Sequence, residues 1–291
     1  MPMFICTTCG TQYSPSDAPP SGCAICQEER QYVNPLGQSW TTLEQMRRTH
    51  RNAFGVVEPG LFGVGTVPAF AISQRALLIR SPSGNVLWDC ISFLDDATVE
   101  IIRALGGLSA IAISHPHYYA SMVEFAHAFG ATVWLHAADR QWVMRSDPSV
   151  RFWEGEEKEI GRGITLLRCG GHFAGGTVLH WADGAGGRGA VLSGDIVQVG
   201  PDKHVSFMRS YPDLIPLDAG SVQHIADVLE KWAFEPIYGA WWERIITSGG
   251  KAALTYSVQR YLKAISLPPE GDGAAQARAR PGSLEVESPE A

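Results

Sequence analysis

The stretch AIAISHPHYYASMVEFAHAFG, residues 110–130, decides how this chain folds. It opens as a short, nearly all-apolar run that reads as a strand at the buried centre of a sheet. It closes as an amphipathic helix, with Met122, Phe125, Ala126 and Phe129 in register and Gly130 as the stop. Between the two lie His115 and His117, one on each side of Pro116, followed by Tyr118, Tyr119 and Ala120. Pro116 fixes its own φ and restricts His115, so the histidines sit on a stiff connection.

The same reading extends in both directions. Upstream, AFAISQRALLIRS and GNVLWDC form a strand pair turned around Ser83-Gly84-Asn85. DDATVEIIRALGG follows as a helix with Val99, Ile102 and Leu105 on one face and Gly106 at its end. Downstream, TVWLH is a strand and AADRQWVMR a short helix. GITLLRCGGH, TVLHWAD and GAVLSGD are three further strands, each ending at a Gly, His or Asp cluster. DAGSVQHIADVLEKWAF and GKAALTYSVQRYLKAI are the last helices, with the strand-like EPIYGAWW between them. Strands grouped early and late with helices interleaved predict an α/β fold of sheets packed between helical layers.

Composition divides the chain in three. Residues 1–36 are cysteine-paired and rich in Pro, Ser and Gly; residues 37–266 carry the periodic pattern; residues 267–291 lack an apolar face and are expected to be a disordered tail. With 45% hydrophobic and 18% charged residues over 291 positions, the balance is that of a globular protein. A net charge of −7 and the lack of a basic stripe argue against nucleic acid as partner. No apolar stretch approaches the roughly 20 residues that span a bilayer. MPMFICTTCG has no basic region followed by an apolar one, so no secretory signal is expected, and a cytoplasmic location fits the reduced cysteines.

Cys6-x2-Cys9 and Cys23-x2-Cys26 make two knuckles, whose four thiolates suit one closed tetrahedral site. Gly10 and Gly22 flank them and supply backbone freedom. A piece this short cannot bury enough core alone, so a metal staple makes physical sense. The expectation is a zinc ribbon with either a structural role or a role in docking a protein partner. FICTTCG is also similar to a rubredoxin knuckle, which leaves iron open at this site.

His115 and His117 end a strand, His172 follows LLRCGG and Asp195 follows AVLSG. Repetition of this placement, at strand ends where loops converge, points to a shared ligand site. His136 is expected to cap the helix after it. Lys203, His204 and Arg209, in the loop after Asp195, are candidates to line a substrate pocket, the two cations by reading an anionic group.

ISHPHYYAS, GGHFAGG and LSGDIV resemble, in order and spacing, the metal-binding motifs of the metallo-β-lactamase fold family, and Asp89 in VLWDC matches the acidic position that ends an early strand. The resemblance covers about residues 60–265. It implies an αββα sandwich with metal in the cleft between the sheets, held by His115, His117 and His172, with Asp195 at the position that usually bridges two ions. The family's first motif is His-x-His-x-Asp-His, and here its fifth and sixth positions are Tyr119 and Ala120. The late histidine is also missing from IYGAWWER. What results is a one-metal version of a two-metal cleft.

The resulting expectation is a metal-dependent hydrolase that turns a single-metal-bound hydroxide on an ester, lactone, thioester or amide of a small substrate. Asp195 would complete the ligand set or act as general base, and Tyr118 or Tyr119 would stabilise the oxyanion. Zinc is expected once in the ribbon and once in the cleft. Iron in the cleft leaves a mononuclear oxidoreductase or dioxygenase as the alternative, and a non-catalytic metal-binding descendant is the third reading. Oligomeric state is not legible.

Overall fold

A computed structural model describes residues 1–266; the expected tail, 267–291, lies outside the described residues. Seven strands form one sheet in chain order: β1 (Arg51–Glu58), β2 (Leu61–Val67), β3 (Arg75–Ile79), β4 (Val86–Trp88), β5 (Ala110–Ala112), β6 (Thr132–His136) and β7 (Val150–Trp153). The first three pairings are antiparallel and the last three parallel. Each parallel step needs a crossover. Helix α1 (Asp96–Ala104) carries the chain from β4 to β5, and α2 (Met122–Phe129) from β5 to β6.

Six strands form the second sheet, again in chain order: β8 (Glu157–Gly161), β9 (Ile164–Arg168), β10 (Thr177–Trp181), β11 (Ala190–Gly194), β12 (Ile237–Gly239) and β13 (Ile245–Ile246). Only β11 and β12 run parallel, and the chain between them includes α3 (Ala219–Glu230). Helix α4 (Gly250–Ser266) follows β13 and packs with α3.

Period-two alternation in the strands makes this a four-layer sandwich. Leu77 and Ile79 of β3, Val86 and Trp88 of β4, and Ala110 and Ala112 of β5 point to the second sheet. They meet Ile164, Leu166, Leu179, Trp181, Ala190 and Leu192 there. The alternate residues Ala76, Leu78, Leu87 and Ile111 face α1 and α2, and pack with Ile102, Met122, Phe125 and Ala126. Leu167, Val178 and Val191 do the same toward α3 and α4, meeting Val222, Ile225, Leu229, Leu254 and Val258. The αββα order is thus written in which residues of each strand are odd or even.

Local chemistry sets the helix ends. Asp95 caps α1 by accepting the Thr98 N–H at 2.8 Å, and Asp218 caps α3 by accepting from Ser221 at 3.0 Å. Gly130 closes α2 in the left-handed conformation, φ 68°. The expected helix AADRQWVMR is a 3-10 segment, Ala137–Trp142, and His136 caps it by accepting the Ala138 N–H through Nδ1 at 3.2 Å.

The N-terminal segment lies against this sandwich. Ile5–Cys6 pair with Trp40–Thr41, so the segment's own ladder draws on residues past 36. Ile5 packs with Met46 and Phe93, and Ser92 donates to the Gly10 carbonyl at 2.8 Å. Arg145 bridges Gln12 and Glu124 from the other side. Among the described residues no helix is long and apolar enough to cross a membrane.

Candidate metal centre and active site

Two groups of metal-ligating side chains stand out among the described residues: Cys6, Cys9, Cys23 and Cys26, and His115, His117 and His172. In each, one ligand atom per residue lies within 4.8 Å of the others, and all seven side chains are buried. In the cysteine group, Cys6 Sγ is 3.6 Å from Cys26 Sγ and Cys9 Sγ is 3.6 Å from Cys23 Sγ. Thiolates at about 2.3 Å from a tetrahedral zinc stand about 3.8 Å apart, so the four sulfurs fit one ion. The Tyr13 hydroxyl donates to Cys23 at 3.3 Å and the Gln38 amide to Cys6 at 3.2 Å, as hydrogen-bond donors around metal-binding thiolates do. Hydrogen bonds from Cys23 and Cys26 draw the Cys6 thiol well below its ordinary value, while Cys9 is pushed up by the same two neighbours. Four buried thiols that trade protons in this way need a cation to be thiolates together.

The histidine group sits where β5 and the β9–β10 turn end. His115 begins the connection after β5, its backbone extended, and the 3-10 turn Pro116–Tyr118 carries His117 onto the same side. His172 lies between β9 and β10, in the glycine-rich turn 170–176. A side chain on Gly176 would strike the Gly170 carbonyl at 2.5 Å, so the tightness of this turn requires glycine.

Hydrogen bonds fix the imidazoles. Ser114 donates its hydroxyl to Asp89 Oδ1 at 2.7 Å and its N–H to the same atom at 2.8 Å. Ser114 Oγ can then only accept from His115 Nδ1, 2.9 Å away, which leaves His115 Nε2 as a bare lone pair. His172 donates Nδ1–H to the Met208 carbonyl at 3.1 Å, so its Nε2 is bare as well, 3.2 Å from His117 Nδ1. Nitrogens at about 2.0–2.1 Å from a tetrahedral zinc stand about 3.4 Å apart, close to this spacing. His115 Nε2, His117 Nε2 and Asp195 Oδ1 are buried without a hydrogen-bond partner. Two of these, His115 Nε2 and Asp195 Oδ1, face each other at 3.3 Å, an orphaned pair that a cation fits.

Electrostatics agree. Burial, then the charges of His172, His117 and Arg30, hold His115 well below its ordinary pKa. Burial and the charges of His172 and Arg30 do the same for His117, and burial brings His172 down to about 4. All three are therefore neutral near pH 7, the form that binds metal.

Asp195 follows β11, its Oδ1 3.3 Å from His115 Nε2, but it lies outside the three-histidine group. Gly194 makes that approach tolerable, since a Cβ there would meet Ser114 Oγ at 2.6 Å. Burial pushes the Asp195 carboxyl up to about 7, with the Tyr118 hydroxyl pulling it down. The Tyr118 ring lies 4.5 Å from the His115 ring; burial, then the charge of Asp195 beside it, keeps its hydroxyl a neutral phenol. Tyr119 belongs to the helix-side core and makes no hydrogen bond to the site among the described residues. Phe173 stands among the imidazoles, its ring centroid 5.5, 5.0 and 5.2 Å from those of His115, His117 and His172.

The expected pocket cations are engaged elsewhere. Arg209 pairs with Glu29 of the N-terminal segment, and Lys203 reaches the Ile245 carbonyl at 3.2 Å. His204 pairs with Asp202 on the surface. Instead the N-terminal segment supplies Arg30, whose guanidinium lies 4.5 Å over the Phe173 ring. No local pattern marks Arg30; only the docking of the segment brings it there. Trp241 stands 6.3 Å from Tyr118, whereas Trp242 lies against Gly55, Gly63 and Gly65.

Comparison with known proteins accords with this geometry. The model of the metallo-β-lactamase superfamily matches residues 71–234, and the chain belongs to that superfamily. An uncharacterised protein of Bacillus subtilis, YmaE, is 45% identical over 269 residues, spanning 91% of this chain and 98% of its own. Among solved structures, VMB-1 superposes with a TM-score of 0.56 at 12% identity, covering 74% of this chain and 99% of its own. The metallo-β-lactamase FIM-1 from Pseudomonas aeruginosa, in a mono-zinc form, gives 0.54 at 12% identity over 75% of this chain and 97% of its own. At that identity the likeness is one of fold.

Proposed function

We propose that this protein is a metal-dependent hydrolase acting on a small ester, lactone, thioester or amide through one metal in the cleft. The observation that carries the reading is the convergence of three neutral, buried imidazoles with an orphaned carboxylate oxygen beside them. His115, His117 and His172 would hold the cleft ion, zinc by preference, and Cys6, Cys9, Cys23 and Cys26 a structural zinc. When bound, the cleft ion supplies a lowered water pKa and polarises the substrate carbonyl.

This chain's own residues do the rest. Asp195, held near neutrality by burial, accepts the proton of the attacking water and returns it to the leaving group. Tyr118 keeps its proton and donates its O–H to the oxygen on which charge develops. Asp89 and Ser114 hold the tautomer of His115. Tyr119 and Ala120 provide no ligands for a second ion, and no second cluster stands beside the three histidines among the described residues. A ribbon over residues 1–36 and a hydrolase domain over 37–266 is the organisation that goes with this reading.

Elemental analysis of purified protein tests it. Two zinc ions per chain are expected, with His115→Ala and His172→Ala keeping one and losing hydrolysis of chromogenic esters or lactones. Cleft iron, or full activity in either variant, would overturn the reading.

A further inference from the structure

We propose that Arg30, delivered by the cysteine-rich segment, is a specificity-determining residue that binds a carboxylate on the substrate. The inference rests on the hydrolase reading above.

Arg30 lies four residues past Cys26, so the fold of the knuckles sets its position. Its guanidinium stacks on Phe173, the residue bonded to His172, and its charge bears on all three imidazoles. Trp142 packs against both the cysteine core and Phe173, so the segment and the cleft share a wall. Glu28 holds the fork from behind: Oε1 accepts from Arg30 Nη1 at 2.5 Å, and Oε2 from the Arg30 backbone N–H at 2.8 Å. The side chain is only 16% exposed, yet Nε is buried without a partner.

A buried guanidinium N–H with nothing to donate to costs free energy unless a ligand meets it. Arg209 pairs with Glu29 and Lys203 with carbonyls, whereas Arg30, paired with Glu28 through Nη1, still keeps its Nε without a partner. Its planar fork matches a carboxylate, and partial neutralisation by Glu28 suits a monoanion better than a doubly charged phosphate. Arg30 also puts a fixed positive charge on the wall of a cleft whose second ion has lost its ligands. A substrate with a carboxylate some way from the scissile carbonyl would be oriented between the two.

Calorimetric titration of the zinc-loaded full chain with mercaptoacetate and with 2-mercaptoethanol tests this without turnover. The two share a thiol for the metal and differ in carrying a carboxylate. Wild type is expected to prefer mercaptoacetate by about tenfold to a hundredfold, the worth of one charge-assisted hydrogen bond pair. Arg30→Met should erase that preference while keeping two zinc ions and the affinity for 2-mercaptoethanol, and Arg30→Lys should keep part of it. An Arg30→Met protein that retains the full preference would overturn the assignment. If neither thiol binds wild type, or if both still bind His172→Ala, it is the metal-centre reading that falls, and this proposal with it.

Discussion

The backbone N–H of Gln12 donates to the carbonyl of Ala120 at 3.0 Å. Ala120 stands at the sixth position of the family's first metal motif, so the N-terminal segment docks on the stretch that would otherwise present ligands for a second ion. Tyr119 is drawn into the helix-side core, and Ala120 is buried with φ 43°. Restoring the motif letters should therefore not restore the metal. Tyr119→Asp with Ala120→His is expected to leave zinc at two per chain by elemental analysis. It should also lower stability by about 2–4 kcal/mol, since a buried carboxylate and an overpacked imidazole replace core atoms.

The relay Asp89–Ser114–His115 makes a sharper prediction about affinity. Ser114→Ala removes the acceptor of His115 Nδ1–H and the hydroxyl donor to Asp89, without touching a proposed ligand. Cleft zinc should bind about ten to a hundredfold more weakly, as outer partners of ligating histidines typically dictate. Competition with a zinc chelator reads this directly. An unchanged affinity would mean that the imidazole is oriented by packing alone.

Metal removal should act first at the periphery. Cys6, Cys9, Cys23 and Cys26 are at most 2% exposed and form the small core on which the segment is built. Cys23→Ser is expected to lose one zinc and to lower the melting temperature, because binding free energy at such a site is folding free energy. The double-sheet sandwich has its own cores and should remain, visible as retained circular dichroism. Loss of the whole fold would show that the sandwich depends on the segment.

Asp139 gives a pH prediction away from the proposed ligands. Its carboxylate accepts the Gly175 N–H at 2.9 Å, yet burial raises its pKa to about 6. A carboxyl whose folded pKa is raised favours the protonated state. Its contribution is therefore fully present below the ordinary value near 3.8 and declines as pH rises through about 6. Asp139→Asn keeps an acceptor and cannot ionise. Its stability relative to wild type, from urea unfolding, should be greater at pH 7.5 than at pH 5.

Trp242 rests in a trough made by Gly55, Gly63 and Gly65 and beneath Arg75, whose guanidinium is 5.3 Å from the indole. A Cβ on Gly63 would come within 2.7 Å of the ring. Gly63→Ala should displace the indole, cost about 1–3 kcal/mol and shift the tryptophan emission.

The same trough explains what the sequence hides. β3, β4, β5 and β11 announce themselves because odd and even residues both face apolar layers, leaving short unbroken apolar runs bounded by turns. The β1–β2 hairpin, RNAFGVVEPGLFGVGTV, was not legible: its glycines interrupt the alternation, and only Trp242, far along the chain, gives them a reason. β8, EKEIG, is a polar edge strand with nothing periodic to read. The three histidines were legible because each ends a strand. Arg30 was not, since its place depends on how a separate piece of chain docks. Lys203 and Arg209 were chosen for proximity in sequence to Asp195, and neighbouring carboxylates and carbonyls claim them in space.

Glu29 grips Arg209 on the loop after Asp195, while Arg30, its neighbour, leans over Phe173. Two consecutive side chains of one short strap thus hold the loop after Asp195 and the turn that carries His172. A change at the four cysteines that slackens the strap would reach the Asp195 loop and the His172 turn together.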